Sequence, residues 1–356
     1  MTSPRNLIDA TLARVRPLSD DAMRRARERQ ALLTKPAGAL GVLEEVSIQL
    51  AGIMDVCPPP APASPAVAVF AGDHGVLAQG VSPWPQEVTF AMVENIRAGG
   101  AAVNVLARSC GAVVRVVDVG VAAEVVGDET VLARNVRRGT ADLSVGPAMT
   151  RDEAEQAIAV GIEVADQLVD AGHDVLLTGD MGIGNTTPSA CLLAALTGTP
   201  AEVVTGRGTG IDDETLALKT RIVADAVARL EADADPIDVL AEVGGLEHAG
   251  VVGLVLGAAA RRVPVILDGV IAGSSALVAQ ALSRDAIAYC LAGHRSVEPG
   301  HRTALAQLEL RPLVDLDLRL GEGSGAALAF PLVRAAALVL DEMATFDSAG
   351  VTKKDD

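Results

Sequence analysis

What most constrains the fold of this chain is a repeating unit. A short, continuously apolar run leads into a glycine-bearing polar loop, and an apolar-faced helix follows. Runs of this kind fall at 66–71, 112–119, 174–178, 263–267 and 286–290. Helices are predicted between them at 87–107 (interrupted at Gly99-Gly100), 151–171, 188–197, 212–232 and 247–261. The second of these opens on the capping box Thr150 to Glu153. Apolar runs without alternation are strands buried on both faces, and the intervening helices supply the crossovers of a parallel sheet. The expected class is α/β, a mostly parallel sheet with helices on both faces. Half of the residues are hydrophobic, yet the chain holds four Phe, one Trp and one Tyr against 35 glycines. A core of Ala, Val and Leu suits close helix–sheet contact better than a β-sandwich.

The flanks have a different texture. Ser19-Asp20-Asp21 starts a charged amphipathic helix over 17–34, and another is expected over 42–54 after the turn 34–41. The proline-rich stretch 58–65 can be neither helix nor central strand and reads as a stiff linker. Residues 313–320 alternate leucine like a strand, though Leu-rich stretches also make helix. The last helix is expected over 324–346 and a frayed tail over 352–356.

A net charge of −17 speaks against nucleic acid or an anionic membrane as partner. Any anionic ligand must then be held by local devices. Mean hydropathy is +0.35, but the 249–260 run ends at Arg261-Arg262, short of the roughly 20 residues a spanning helix needs. Asp9 falls where a signal peptide would be apolar, so a cytoplasmic location is expected. The cysteines at 57, 110, 191 and 290 show no Cys-x-x-Cys spacing and read as apolar fillers.

In doubly wound sheets ligands lie at the carboxyl ends of the strands, where the unusual residues gather. The run 66–71 ends in Gly72-Asp73-His74-Gly75, and 174–178 ends in Gly179-Asp180 and the loop to Thr187. The run 263–267 ends in Asp268, and 286–290 leads to His294, Glu298 and His301. The 179–187 loop is either a structural turn or an anion cradle leading into a helix N-terminus. It has neither the third glycine of a dinucleotide fingerprint nor a Walker lysine. Gly206 to Gly210 is a second flexible loop, and Lys219 by itself reads as a surface charge. The pair Asp212-Asp213 reads as a helix start. Pro299-Gly300 interrupts any helical face joining His294, Glu298 and His301, so no metal site is expected. Glu322, between Gly321 and Gly323, is either a turn residue or a carboxylate that a ligand can approach closely.

In order, Lys35–Gly41, Ala71–Gly75, Gly80–Thr89, Gly179–Thr187, Gly206–Gly210, His294–His301 and Leu318–Ala327 resemble the nicotinate-nucleotide–dimethylbenzimidazole phosphoribosyltransferases over about 35–330. The resemblance implies a Rossmann-like domain over 66–322. A small helical domain would join 1–57 to 323–347, with 348–356 as tail. It implies a homodimer acting on small-molecule substrates, with no cofactor. The implied reaction moves phosphoribose from nicotinate mononucleotide to 5,6-dimethylbenzimidazole, giving α-ribazole 5′-phosphate and nicotinate. Departure neutralises the pyridinium ring, so no acid is needed, and no pyrophosphate leaves that would call for a Mg²⁺ clamp. What the reaction needs is a base for the second benzimidazole nitrogen. By resemblance Glu322 is that base and Asp180 a second catalytic residue, although the family pattern carries Glu at position 180. Phosphoribosyl contacts carry over to Gly182, Gly184, Asn185, Thr186, Gly208 and Lys219. Benzimidazole contacts carry over to Ser82, Gln86 and Leu320, with Trp84, Val88 and Met92 as apolar walls. Asp73, His74, His294 and His301 lie in the motifs without assigned roles. A nicotinamide-dependent dehydrogenase and a non-catalytic binding subunit are the competing readings.

Overall fold

The computed structural model describes residues 3–352; of the expected 352–356 tail only Thr352 lies within them. Six strands form one parallel sheet: β1 Pro65–Gly72, β2 Val113–Gly120, β3 Val131–Ala133, β4 Val175–Met181, β5 Val265–Leu267 and β6 Cys290–Ala292. Their order is β3-β2-β1-β4-β5-β6. The chain builds outward from β1 to one edge, returns to β4, and builds to the other edge. The fold is α/β, as expected, and the crevice of such a sheet opens between β1 and β4, where the order reverses.

Strand β1 shows why its residues are apolar without alternation. Ala66, Ala68 and Phe70 join the core on one face, and Val67, Val69 and Ala71 join the core on the other. The first face is covered by the helices Arg151–Asp170 and Leu246–Ala260, the second by Ala102–Cys110 and Ser324–Glu342. Small residues set the spacing. A Cβ on Gly161 would run into the Gly250 carbonyl and one on Gly253 into that of Ile158, so the first two helices touch backbone to backbone without large aromatics.

The second of the opposite pair, Ser324–Glu342, has the length and apolar content of a membrane span. Here Phe330, Val333 and Ala337 are buried against the sheet. Its far end meets the helices Asp20–Leu32 and Val42–Met54: the Arg29 guanidinium donates to the carbonyls of Leu340 and Asp341, and Leu33 bridges Thr345. The helix Pro4–Leu12 packs instead on Arg151–Asp170 and Leu246–Ala260.

Several expectations shift. The strand placed at 286–290 begins only at Cys290, because residues 284–287 make a helical turn after Ser283. The 212–232 helix stops at Val227, and the 324–346 helix at Glu342. Residues 346–349, partly within the 348–356 tail, form a capped helical turn. Residues 313–320 are neither strand nor helix: one parallel bridge joins Val314 to His294, the chain bends at Leu313 and Leu316, and Asp317 takes a left-handed φ of +56°. Pro299 opens a helix, Pro299–Gln307, at its first position, where its missing N–H is harmless. Asp212 caps the helix Asp213–Val227 through the Thr215 N–H at 2.8 Å, as the acidic pair suggested. Cys191 and Cys290 are buried, whereas Cys57 and Cys110 are only half-buried; all four are free.

Candidate active site

The ends of β1 and β4 bring the first site residues together. Asp180, near the end of β4, is 6% exposed and accepts from the Asn185 amide at 3.0 Å. Asn185 stands at the N-cap of the helix Thr186–Thr197, but its side chain turns to Asp180 and leaves that helix without a side-chain cap. Uncapped N-terminal amides with a helix dipole behind them favour an anion. The Ile183 N–H bonds the Thr89 hydroxyl at 3.0 Å and ties this loop to the 87–97 helix.

Lys219 overturns its bland reading. It is buried, not a surface charge, and its ammonium donates to the Thr186 hydroxyl at 2.7 Å and the Gly206 carbonyl at 3.1 Å. Burial lowers its pKa to about 8. Gly208 closes over the pair: a Cβ there would lie 2.9 Å from the Thr186 oxygen and 3.7 Å from the Lys219 nitrogen. Asn185, Thr186, Gly208 and Lys219 therefore form one basic corner.

Glu322 forms the opposing corner. Gly321, Glu322 and Gly323 all have left-handed φ, at +82°, +64° and +93°. Glycine adopts this freely, but a Glu is strained by about 1–3 kcal/mol and needs surroundings that hold it. Asp268, at the end of β5, supplies them. Its carboxylate accepts the N–H groups of Gly323 at 3.2 Å, Gly325 at 2.7 Å and Ala326 at 3.0 Å, capping the 324–342 helix from outside. The Glu322 carboxylate, 3% exposed, accepts the Val103 N–H at 3.3 Å, the long end of the range. Burial raises its pKa and Asp268 adds to this, against the pull of the Val103 N–H. The turn lies directly on β4: a Cβ on Gly179 would sit 2.6 Å from the Glu322 carbonyl, and one on Gly321 would sit 3.1 Å from Asp180 Oδ2. Burial raises the Asp180 pKa well above the carboxylate range, reinforced by Asp268 and Glu322.

One cleft is lined by Asp180, Asn185, Thr186, Gly208, Leu320 and Gly321 among others; Lys219 and Glu322 are not among its lining residues, and each adjoins it through a neighbour, Thr186 and Gly321 respectively. Gly321 of the Glu322 turn thus shares this cleft with Asn185 and Thr186 of the loop. Leu320 is 56% exposed at its rim. Ser82 is half-buried and Gln86 exposed; neither is among the residues lining this cleft, and the Ser82 hydroxyl accepts the Trp84 N–H at 3.2 Å. The motif histidines and Asp73 find partners. Asp73 accepts the Ala122 N–H at 2.8 Å, His301 accepts the Ser296 N–H at 2.9 Å, and His294 lies 3.6 Å from Asp268. Burial and His294 lower the His301 pKa to about 3, so it serves as a neutral acceptor.

The comparisons with known proteins show the family. A family model described as phosphoribosyltransferase, DBI_PRT, matches residues 15–351. The chain is 58% identical to the nicotinate-nucleotide–dimethylbenzimidazole phosphoribosyltransferase of Salinispora tropica, over 98% of this chain and 100% of that one. It belongs to that family. The Chloroflexus aggregans member is 54% identical over 98% of this chain and 99% of its own. A Thermus thermophilus crystal structure of the same enzyme superposes with a TM-score of 0.91 at 47% identity, covering 95% of this chain and 100% of that one. As a member of this family the chain is a transferase.

Two features of the site escaped the sequence reading. Asp268 was visible only as a polar strand end, and no local pattern shows that it would cap a helix 55 residues later. Glu247 and His248 did carry a signal, since they open the helix Leu246–Ala260, which has no other polar side chain.

Proposed function

We propose that this chain transfers phosphoribose from nicotinate mononucleotide to 5,6-dimethylbenzimidazole, giving α-ribazole 5′-phosphate and nicotinate. The observation that carries this reading is the polarity of the cleft. Its basic corner (Lys219 with the 182–186 turn) suits a 5′-phosphate. Its acidic corner, with Asp180 and Glu322 and with Asp268 behind them, suits a cationic pyridinium and the positive charge that develops at C1′. A donor with an anionic tail and a cationic head matches that division in a chain of net charge −17.

In this reading one benzimidazole nitrogen attacks C1′ from the face opposite nicotinate. The C1′–N bond breaks, its electron pair returns to the pyridine ring, and the anomeric carbon inverts from β to α. The proton on the second benzimidazole nitrogen passes to the Glu322 carboxylate, whose raised pKa makes it a stronger base than an exposed Glu. That carboxylate now contacts only the Val103 N–H among the hydrogen bonds described, at 3.3 Å, so a ring N–H can compete for it. Ser82, Gln86 and Leu320 would hold the incoming ring, drawing the 82–86 segment over the rim. The proposal includes a cytoplasmic homodimer and a small domain in which 1–57 meets 323–347 through the helices Asp20–Leu32 and Val42–Met54, with Pro4–Leu12 packed on the Rossmann-like body 66–322.

Incubation of the protein with both substrates, read by mass spectrometry, tests the reaction. Nicotinate and a ribosylated benzimidazole 5′-phosphate should appear in equal amounts. Formation of neither would dismiss it, and a spectral change at the nicotinamide band with added NAD would favour a dehydrogenase instead.

A further inference from the structure

Behind the basic corner lies a buried polar chain that the reaction does not use. Glu247 Oε1 is 2.8 Å from His74 Nε2 and 2.8 Å from His248 Nδ1, and all three side chains are fully buried. On its far side, His248 Nε2 is 2.8 Å from the Ser189 hydroxyl. Both ring nitrogens stand at ion-pair distance from one carboxylate oxygen, although neither is aligned on it as a hydrogen bond. The carboxylate also sits in the first turn of the Leu246–Ala260 helix, where the dipole favours it. Burial would raise the Glu247 pKa, but His74 and His248 hold it below the usual carboxylate range, and Glu247 in turn raises His74 against its own burial.

The chain joins three separate segments. His74 follows β1, Glu247 and His248 begin the 246–260 helix, and Ser189 lies in the first turn of the Thr186–Thr197 helix. A Cβ on Gly182 would lie 3.2 Å from His74 Nε2, so the imidazole also abuts the backbone of the first loop glycine. A buried charge cluster of this kind is weak evidence of stability, because apolar side chains of the same volume stabilise as well. What it does fix is direction.

We propose that His74, Glu247, His248 and Ser189 are positioning residues that aim the N-terminal turn of the 186–197 helix, and with it Thr186 and the loop amides, at the donor's phosphate. This rests on the assignment of the phosphate to the Lys219 corner. Ser189→Ala removes the last link while leaving the charged part intact. It should raise the Michaelis constant and the calorimetric Kd for nicotinate mononucleotide about three- to tenfold, the size of one neutral hydrogen bond. The turnover number and the benzimidazole Michaelis constant should stay within twofold of wild type. His248→Asn should give the same split more strongly if it folds, and Ser189→Ala decides the matter if it does not. Lys219→Met is the control for the underlying assignment. If Lys219→Met weakens the donor and Ser189→Ala does not, the chain is only structural and the inference falls. If Lys219→Met leaves donor binding unchanged, the phosphate lies elsewhere and the inference falls with that assignment. A loss in turnover alone after Ser189→Ala would equally overturn it.

Discussion

Glu322→Gln isolates the base from everything else that residue does. Gln has the same length and can still accept the Val103 N–H, so the contact at 3.3 Å survives. The left-handed φ of +64° is no worse for Gln than for Glu. Removing a buried carboxylate whose pKa is raised also relieves a desolvation penalty. The variant should therefore melt at or slightly above the wild-type temperature at neutral pH. What it loses is the acceptor for the benzimidazole proton. General base catalysis contributes about 10²–10⁴ in rate, or about 3–5 kcal/mol of barrier. At saturating substrates, nicotinate release followed by chromatography should fall by that factor. The Michaelis constant for the donor should rise by less than about tenfold, because one carboxylate near the pyridinium is neutralised while the phosphate corner is untouched. Turnover within threefold of wild type would refute the assignment of the base, and an unaltered rate with a lowered melting temperature would make Glu322 only the partner of the Val103 N–H.

Three further outcomes follow from the same geometry. Lys219 loses its proton in the free protein near pH 8, well below the 10.5 of an exposed lysine, so the donor's Michaelis constant should climb as pH passes 8. Stability should move the opposite way. The unfolded lysine holds its proton to higher pH, so this residue's contribution grows from pH 8 upward, and flat donor binding between pH 7 and 9.5 would contradict the phosphate assignment. Asp268→Ala strands three N–H groups at once and should cost about 2–3 kcal/mol in chemical denaturation while abolishing turnover. Gly321→Ala puts a methyl 3.1 Å from Asp180 Oδ2 at a φ of +82°. It should lose at least about 1 kcal/mol of stability, measured by calorimetry, together with most of the activity.

The parallel sheet was legible because β1 and β4 are buried along their whole length, with polar side chains only toward the carboxyl end of β4. β6 was misplaced because Ala286, Ile287 and Cys290 are all apolar, and only the turn geometry after Ser283 separates helix from strand there. Glu322 stood out through its two glycines, since backbone conformation leaves a mark in local sequence. Lys219 left none, and Asp268 left only its place at a strand end. The first sits in a helix with ordinary charged neighbours, and its burial depends on the 206–208 loop folding over it. The second acts on amides across the sheet. Partners fixed by tertiary packing are invisible to spacing, and only the resemblance brought Lys219 forward as a ligand.

Asp180 offers the sharpest test of the cleft's acidic corner, because its charge there is set by its neighbours. Burial raises its pKa, and the nearby Asp268, Glu247 and Glu322 raise it further, against one hydrogen bond from Asn185. An acid so placed binds a proton that the unfolded chain has already released above pH 3.8. The folded state then holds more protons than the unfolded one, so the contribution of Asp180 to stability falls as pH rises toward its folded pKa. Asp180→Asn is close to an isostere of the protonated acid and keeps an oxygen for the Asn185 amide at 3.0 Å. It should match wild-type stability at low pH and exceed it by a margin that widens through neutrality, read as melting temperature against pH. If the neutral acid is the working form, turnover should stay within about tenfold of wild type, whereas an ionised Asp180 balancing the pyridinium would make the loss far larger. Parallel melting curves for the two proteins from pH 5 to 8 would show that Asp180 is ionised throughout, and the cleft would then hold two negative charges facing the donor ring instead of one.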